Sequence, residues 1–186
     1  MTDRTALVVI DMQNSFLHPD GENFYPAAPE VIAPIRTLIE AAAASGISIV
    51  HVCDRHREGF ADFEQIRLPV HCVTGGFNAE FFDGFGPQGR PREITITKRR
   101  YSAFFATDLA LFLQEQGIRR VILCGVKTNV CVRATATDAF ANGHEVVLVR
   151  EATNSNRAHL AEASLEDVDR YIGKVVDLQT ALGMLG

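Results

Sequence analysis

The sequence predicts an α/β fold: a three-layer α/β/α sandwich around a six-stranded parallel sheet, Rossmann-like in its winding. Three observations predict it. Six short runs rich in Val, Ile and Leu recur along the chain, and helical patterns separate most of them. The runs are also near-continuous rather than strictly alternating, as strands covered on both faces require. Strands that alternate with helices close a parallel sheet through right-handed crossovers.

The first run, Ala6–Asp11, carries ALVVI into an aspartate. Val31, Ile35, Leu38 and Ala42 then share one helical face with Gly46 as the stop, and Pro34 leaves the form of the first turn open. The second run is Ile47–Cys53 and the third Glu93–Lys98. Between them, the stretch at about 54–92 is rich in Gly, Pro, Phe and His and too long for a plain connection, so an active-site excursion is expected. Thr107 suits the N-cap of a helix with Leu109, Phe112 and Leu113 inward and Gly117 past its end. The fourth run, Arg120–Gly125, leads to a helix from about Asn129 to Asn142-Gly143. The fifth run, Glu145–Val149, precedes a helix with Ala161, Leu165 and Val168 on one face, and Lys174–Leu178 is the sixth run. No internal repeat interrupts this order, and residues 1–186 are expected to form a single domain.

Composition narrows the function classes. With 47% hydrophobic and 22% charged residues over 186 positions, the chain has a globular balance, and its length suffices to bury roughly 70% of the unfolded surface. The net charge of −5 is spread along the sequence, and the one basic run, Lys98-Arg99-Arg100, is too short to track a phosphate backbone, so no nucleic-acid partner is expected. The apolar run after MTDRT is too short for a signal sequence, and nowhere do roughly 18 apolar residues follow one another. No membrane partner and a cytoplasmic location follow as expectations. Cys53, Cys72, Cys124 and Cys131 have no C-x-x-C spacing, which favours free thiols.

In open parallel sheets, ligands bind beyond the carboxyl ends of the strands, where strand order reverses. The first run ends in Asp11, the third in Lys98, and the fourth in Gly125-Val126 on the way to Cys131. A carboxylate, a cation and a thiol thus converge from three strands, as a nucleophile and its activators do. Cys131 follows Thr128-Asn129, either of which suits an N-cap, so the thiol falls in a first helical turn where free N–H groups and Lys98 favour the thiolate. Each residue alone has a plainer reading. Cys131 is then a small hydrophobe in a helix–sheet interface, Asp11 an Asx-turn former and Lys98 one charge on a solvated run. Cys124, inside VILCG, suits the plainer reading better.

The second run continues into HVCDRH, which sets Asp54 and His56 at i, i+2 on one side of an extended segment, and His71 follows in LPVHC. Two imidazoles and a carboxylate suit a divalent Zn, Fe or Mn ion with positions left open for water or a ligand nitrogen. On spacing alone the signal is weak, since histidines on a long loop are usually just solvated. DMQNSF contains no glycine, so the end of the first strand offers no phosphate cradle, and no nucleotide cofactor is expected.

The blocks DMQNSF, KRRYSAFFATDL and GVKTNVCVRATATDAFANGHEVVLV resemble, in order and across nearly the whole chain, the three signature blocks of the isochorismatase-like cysteine hydrolases. The resemblance, nearest to the nicotinamidase-related branch, implies a parallel α/β sandwich with Asp11, Lys98 and Cys131 as a catalytic triad. It implies an amidohydrolase that cleaves the C–N bond of a small carboxamide through a thioester and releases ammonia. It also implies a cis peptide at Val126–Lys127, with the backbone N–H groups of Lys127 and Cys131 as the oxyanion hole. Asp54, His56 and His71 match the D-x-H and P-x-H-C blocks with which nicotinamidases bind a metal that holds the pyridine nitrogen. A nicotinamide-like substrate, a pocket that includes Phe16, Tyr101 and Val126, and a homo-oligomer complete what the resemblance implies.

The chain departs from nicotinamidases in having no Trp, no aromatic between Asp54 and His56, and GGFNAE where relatives often read GTxGAE. TNVCV is commoner in branches that act on other amides. A metal-independent hydrolase of a ureido or carbamoyl amide is therefore the alternative within the family, and a non-enzymatic thiol sensor the alternative from another class. Isochorismatase itself cleaves a vinyl ether and lacks the nucleophilic cysteine that stands here as Cys131.

Overall fold

The computed structural model describes residues 4–186. Its strands are β1 (Thr5–Ile10), β2 (Ser48–Asp54), β3 (Glu93–Lys98), β4 (Arg120–Val126), β5 (Glu145–Asn154) and β6 (Lys174–Val176). Its helices are α1 (Asn14–Leu17), α2 (Ile32–Ala44), α3 (Leu109–Glu115), α4 (Arg133–Ala141), α5 (Ala158–Tyr171) and α6 (Leu178–Leu185). The strands form one six-stranded sheet in the order β3-β2-β1-β4-β5-β6, and every neighbouring pair is parallel.

β1 is buried along its whole length because helices cover both of its faces. Leu7 and Val9 enter one core with residues of α1, α2 and α6, whereas Ala6, Val8 and Ile10 enter the other with residues of α3, α4 and α5. This period-2 division along one strand makes the sandwich three layers thick, as the sequence predicts.

Strand order fixes where a site can form. From β1 the chain steps outward to β2 and β3, then returns to β4 on the other side of β1. The carboxyl ends of β1 and β4 therefore flank the crevice at the switch point. Register brings further residues to the same edge, with Asp54 of β2 opposite Lys98 of β3 and Ile10 opposite Gly125. Gly125 has φ 119°, and a Cβ there would lie 2.0 Å from the Ile10 carbonyl oxygen. Only glycine lets β4 pass so close to β1 at the crevice.

Four element assignments need correction. β5 runs to Asn154 rather than Val149, because the register of the β4–β5 pair shifts between Leu123 and Gly125 and pairing then resumes at Thr153 and Asn154. β6 ends at Val176, and Leu178 opens α6, whose first turn is capped by the Asp177 side chain accepting from the Thr180 N–H at 2.7 Å. α3 starts after Asp108, although Thr107 Oγ1 still accepts from the Leu109 N–H at 3.2 Å. Finally, the stretch before α4 is a π turn, Thr128–Val132, and neither Thr128 nor Asn129 caps it. Thr128 Oγ1 bonds Thr153 Oγ1 at 2.8 Å, and Asn129 Oδ1 accepts from Ser155 Oγ. Those partners lie on or beside the extended end of β5, so the added length of β5 holds the turn that carries Cys131.

Between β2 and β3 the chain has two short 3₁₀ turns, Phe63–Ile66 and Phe77–Ala79. His56 bridges Val73 within this excursion, and Gln13 bridges Phe81, which ties the loop to the end of β1. No described helix is long and apolar enough to cross a membrane.

Candidate active site

Asp11 is the residue that follows β1, in the left-handed conformation with φ 54°. That conformation turns the chain sharply out of the strand, and Asp is among the few side chains that tolerate it. Its backbone N–H donates to Val52 O at 3.0 Å, which keeps the turn on the sheet. The carboxylate is fully buried, with Oδ2 2.9 Å from Lys98 Nζ. The pair sits at ion-pair distance, yet neither Asp11 oxygen makes a well-aligned hydrogen bond, so the carboxylate remains able to take up a proton.

Lys98, the last residue of the edge strand β3, is also fully buried. Its ammonium donates to Cys131 Sγ at 3.5 Å and lies 3.8 Å from Asp54 Oδ1. Burial works against the charge, but the carboxylates of Asp11 and Asp54 outweigh it and keep Lys98 protonated. The structure thus brings Asp11, Lys98 and Cys131 together from three strands. The Val126–Lys127 peptide is cis.

The electrostatics alter one expectation. Burial, reinforced by the nearby Asp11 carboxylate, pushes the Cys131 thiol well up, and Lys98 opposes this without reversing it. Asp11 is itself raised to about 6, chiefly by burial, with Lys98 pulling the other way. Burial and the Asp11 carboxylate thus work against the thiolate that the first helical turn and Lys98 favour.

Beside this trio lies a second cluster. Ligating atoms of Asp54, His56, Glu64 and His71 all fall within 4.8 Å of one another, and all four residues are buried. Asp54 Oδ1, His56 Nε2 and both Glu64 carboxylate oxygens are buried without a hydrogen-bond partner. Carboxylate oxygens and imidazole nitrogens buried together at such short range suit a divalent cation. Both histidines are also anchored by the opposite ring nitrogen, His56 Nδ1 by Asp62 Oδ2 at 2.8 Å and His71 Nδ1 by Pro69 O at 2.8 Å. That arrangement aims each Nε2 inward, as the outer partners of metal-bound histidines do. Burial opposes charge on His56, but Asp54, Glu64 and Asp62 outweigh it and raise the imidazolium to about 10, so the cluster strongly favours bound positive charge. The donor set fits a divalent ion.

Sequence reasoning placed Asp54, His56 and His71 here and missed three partners. Glu64 sits eight residues past His56 in an irregular loop, where no periodicity marks it. Asp62, capping the 3₁₀ turn at Phe63–Ile66, is equally hidden. Gln13, inside DMQNSF, accepts from the Asp54 N–H at 2.7 Å and donates to Asp54 O at 2.9 Å, which fixes the end of β2. A glutamine two residues after a strand-end aspartate was the available signal.

Cys131, His71 and Asp54 open into a cavity of about 210 Å³. Phe16 and Tyr101 line it as expected, together with Val70 and Val130. Val126 does not; it is fully buried in the core, because its side chain leaves β4 on the α2 side of the sheet. The Lys127 side chain, expected to matter only through its backbone, lines the cavity instead.

A buried carboxylate, lysine and thiol at the switch point of a parallel sheet define the class of α/β cysteine hydrolases. The chain belongs to the isochorismatase family, whose isochorismatase domain matches residues 5–180. It is 32% identical to the maleamate amidohydrolase of Pseudomonas putida, over 98% of this chain and 87% of that protein. Among solved structures, an isochorismatase-like hydrolase from Alkaliphilus metalliredigens superposes with a TM-score of 0.88 at 35% identity, covering 98% of this chain and all of that one. The pyrazinamidase of Pyrococcus horikoshii, solved in complex with zinc, gives 0.84 at 35% identity over 94% of this chain and 99% of that one.

Proposed function

We propose that this protein is a cysteine-dependent amidohydrolase that cleaves the C–N bond of a small carboxamide. One observation carries the reading: Asp11 and Lys98 meet, buried, beside Cys131, and Cys131 lines a small cavity.

The chemistry follows from these groups. As the Cys131 sulfur attacks the carboxamide carbon, its proton passes to Asp11. The carbonyl oxygen becomes an oxyanion held by the backbone N–H groups of Lys127 and Cys131. Asp11 returns the proton to the nitrogen, ammonia departs, and a thioester remains. Asp11 then takes a proton from water as the water attacks the thioester, and the carboxylic acid leaves with the thiol restored. Lys98 holds Asp11 in line and offsets negative charge on sulfur. Asp54, His56, Glu64 and His71 would hold a divalent ion, which supplies a Lewis-acidic anchor for a donor atom of the substrate.

Nicotinamide is the substrate that this cluster favours, because its ring nitrogen is such a donor. A linear amide is the second reading, favoured by the likeness to the maleamate enzyme. The test is ammonia release from nicotinamide, pyrazinamide, ureidoacrylate, biuret and maleamic acid, with and without chelator, by wild-type protein and Cys131→Ala. Turnover by the wild type alone supports the reading. Peroxide reactivity at Cys131 with no turnover of any amide would replace it with a thiol sensor.

A further inference from the structure

Among the described residues, the cationic side chains around the cavity each face a carboxylate, with one exception. Lys98 faces Asp11 and Asp54, and His71 lies against Asp54 and Glu64. Glu22 accepts from the Cys72 N–H at 2.7 Å and from Ser15 Oγ at 3.2 Å. Lys127 is different. Its ammonium lies 5.8 Å from the ring centre of Phe16 and 5.5 Å from that of Tyr25, and among the described residues no carboxylate comes within ion-pair distance of it.

A half-buried ammonium against two aromatic faces keeps only part of its hydration, and ring contacts replace it incompletely. Burial accordingly pulls the Lys127 ammonium below the usual lysine range. An unmatched cation in a ligand cavity is completed by an anionic group on the ligand. Lys127 also stands four residues before Cys131, on the turn that carries the nucleophile, and its side chain reaches toward Phe16 and Tyr25. A ligand bound at both places needs its acidic group a few atoms from its amide, which a cavity of about 210 Å³ accommodates.

We propose that the Lys127 ammonium is a specificity determinant that binds a carboxylate on the acyl part of the substrate, so the preferred substrate is an acidic amide such as the monoamide of a small dicarboxylic acid. The proposal rests on the amidohydrolase reading and narrows it away from neutral ring amides. It uses the side chain of Lys127, whereas the oxyanion hole uses only the backbone N–H.

The test compares maleamic acid with its methyl ester, which is equally flat but uncharged, and with nicotinamide. Wild-type protein is expected to favour the acid in kcat/KM. Lys127→Met should reduce kcat/KM for the acid about 10–100-fold more than for the two neutral amides, the scale of one charge-assisted hydrogen bond. Lys127→Arg should recover most of the loss. Equal use of acid and ester by the wild type, or a preference unchanged in Lys127→Met, overturns the proposal. A second readout is independent of turnover: calorimetric binding of maleamic acid to Cys131→Ala with and without Lys127→Met. If no amide is hydrolysed, the amidohydrolase reading fails, and this readout still decides whether Lys127 recognises the anion. A weakening of about 10-fold or more upholds the recognition, and unchanged affinity refutes it.

Discussion

Replacing Asp62 by Asn tests whether the second cluster is a metal site, because Asp62 touches no presumed ligand atom directly. Its Oδ2 holds His56 Nδ1 at 2.8 Å, and its Oδ1 lies 3.2 Å from the Arg100 guanidinium. The aspartate therefore fixes both the ring orientation and the tautomer that leaves Nε2 free to ligate. Asn keeps the shape but loses the charge, and its amide can present N–H instead of oxygen to the ring. Loss of such an outer partner typically weakens metal binding about 10–100-fold. Here only one of four donors is affected, since His71 keeps its own anchor on Pro69 O. The lower end, about 10-fold or 1.4 kcal/mol, is the expected loss. Glu64→Gln, which alters a donor itself, should exceed it. The assay is competition for zinc against a chromogenic chelator, with His56→Ala as the non-binding reference. Wild-type zinc affinity in both Asp62→Asn and Glu64→Gln would refute the cluster as the metal site.

Three further outcomes probe the chemistry and the scaffold. Cys131→Ala should abolish turnover while Cys53→Ala, Cys72→Ala and Cys124→Ala keep most of it, because only Cys131 reaches the cavity; ammonia release measures this. Asp11 must be ionised to accept the thiol proton, so kcat/KM should fall as pH drops through about 6, where burial places its carboxyl. Asp11→Asn should remove that acid limb together with at least about 10² of the rate, and a wild-type profile flat across that range would contradict the base role. Gly125→Ala should destabilise by about 3 kcal/mol or more, since the new Cβ meets the Ile10 carbonyl at 2.0 Å in a backbone conformation that disfavours side chains. Urea unfolding gives the value, and a loss under about 1 kcal/mol would mean that the strands separate freely there.

The sheet and the meeting of Asp11, Lys98 and Cys131 were legible in the sequence for a shared physical reason. Val/Ile runs mark buried parallel strands; Asp11 directly follows the first strand and Lys98 ends the third. The carboxyl-edge rule then assembles those ends without any knowledge of side-chain positions. What escaped was set by tertiary contact. Glu64 and Asp62 are recruited from an irregular loop, where burial of a carboxylate leaves no local pattern. The extension of β5 escaped because the polar stretch REATN, Arg150 to Asn154, looks like a strand end, yet Thr153 and Asn154 pair again with β4 beyond the register shift. Val126 in the pocket and Lys127 in the oxyanion hole rested on the family resemblance alone. Their side chains diverge there, one into the core and the other into the cavity.

The site divides its labour along structural lines. The groups proposed to make and break bonds sit at strand ends or on a turn braced by β5, where the backbone is fixed by the sheet. The groups proposed to recognise the substrate come from the excursion between β2 and β3 and from the free end of Lys127. Rigid strand ends hold Asp11 Oδ2 and Lys98 Nζ at 2.9 Å without strain on the loop, while a loop can change its residues without disturbing the sheet. Specificity and chemistry therefore respond to different substitutions. Changes at Lys127 or Val70 should alter which amide is used, whereas changes at Asp11, Lys98 or Cys131 should lower turnover of every amide alike. A Lys127 variant that slowed all amides equally would place its side chain with the chemistry instead, because a charge that meets only the acyl carboxylate has no means of slowing an amide that lacks one.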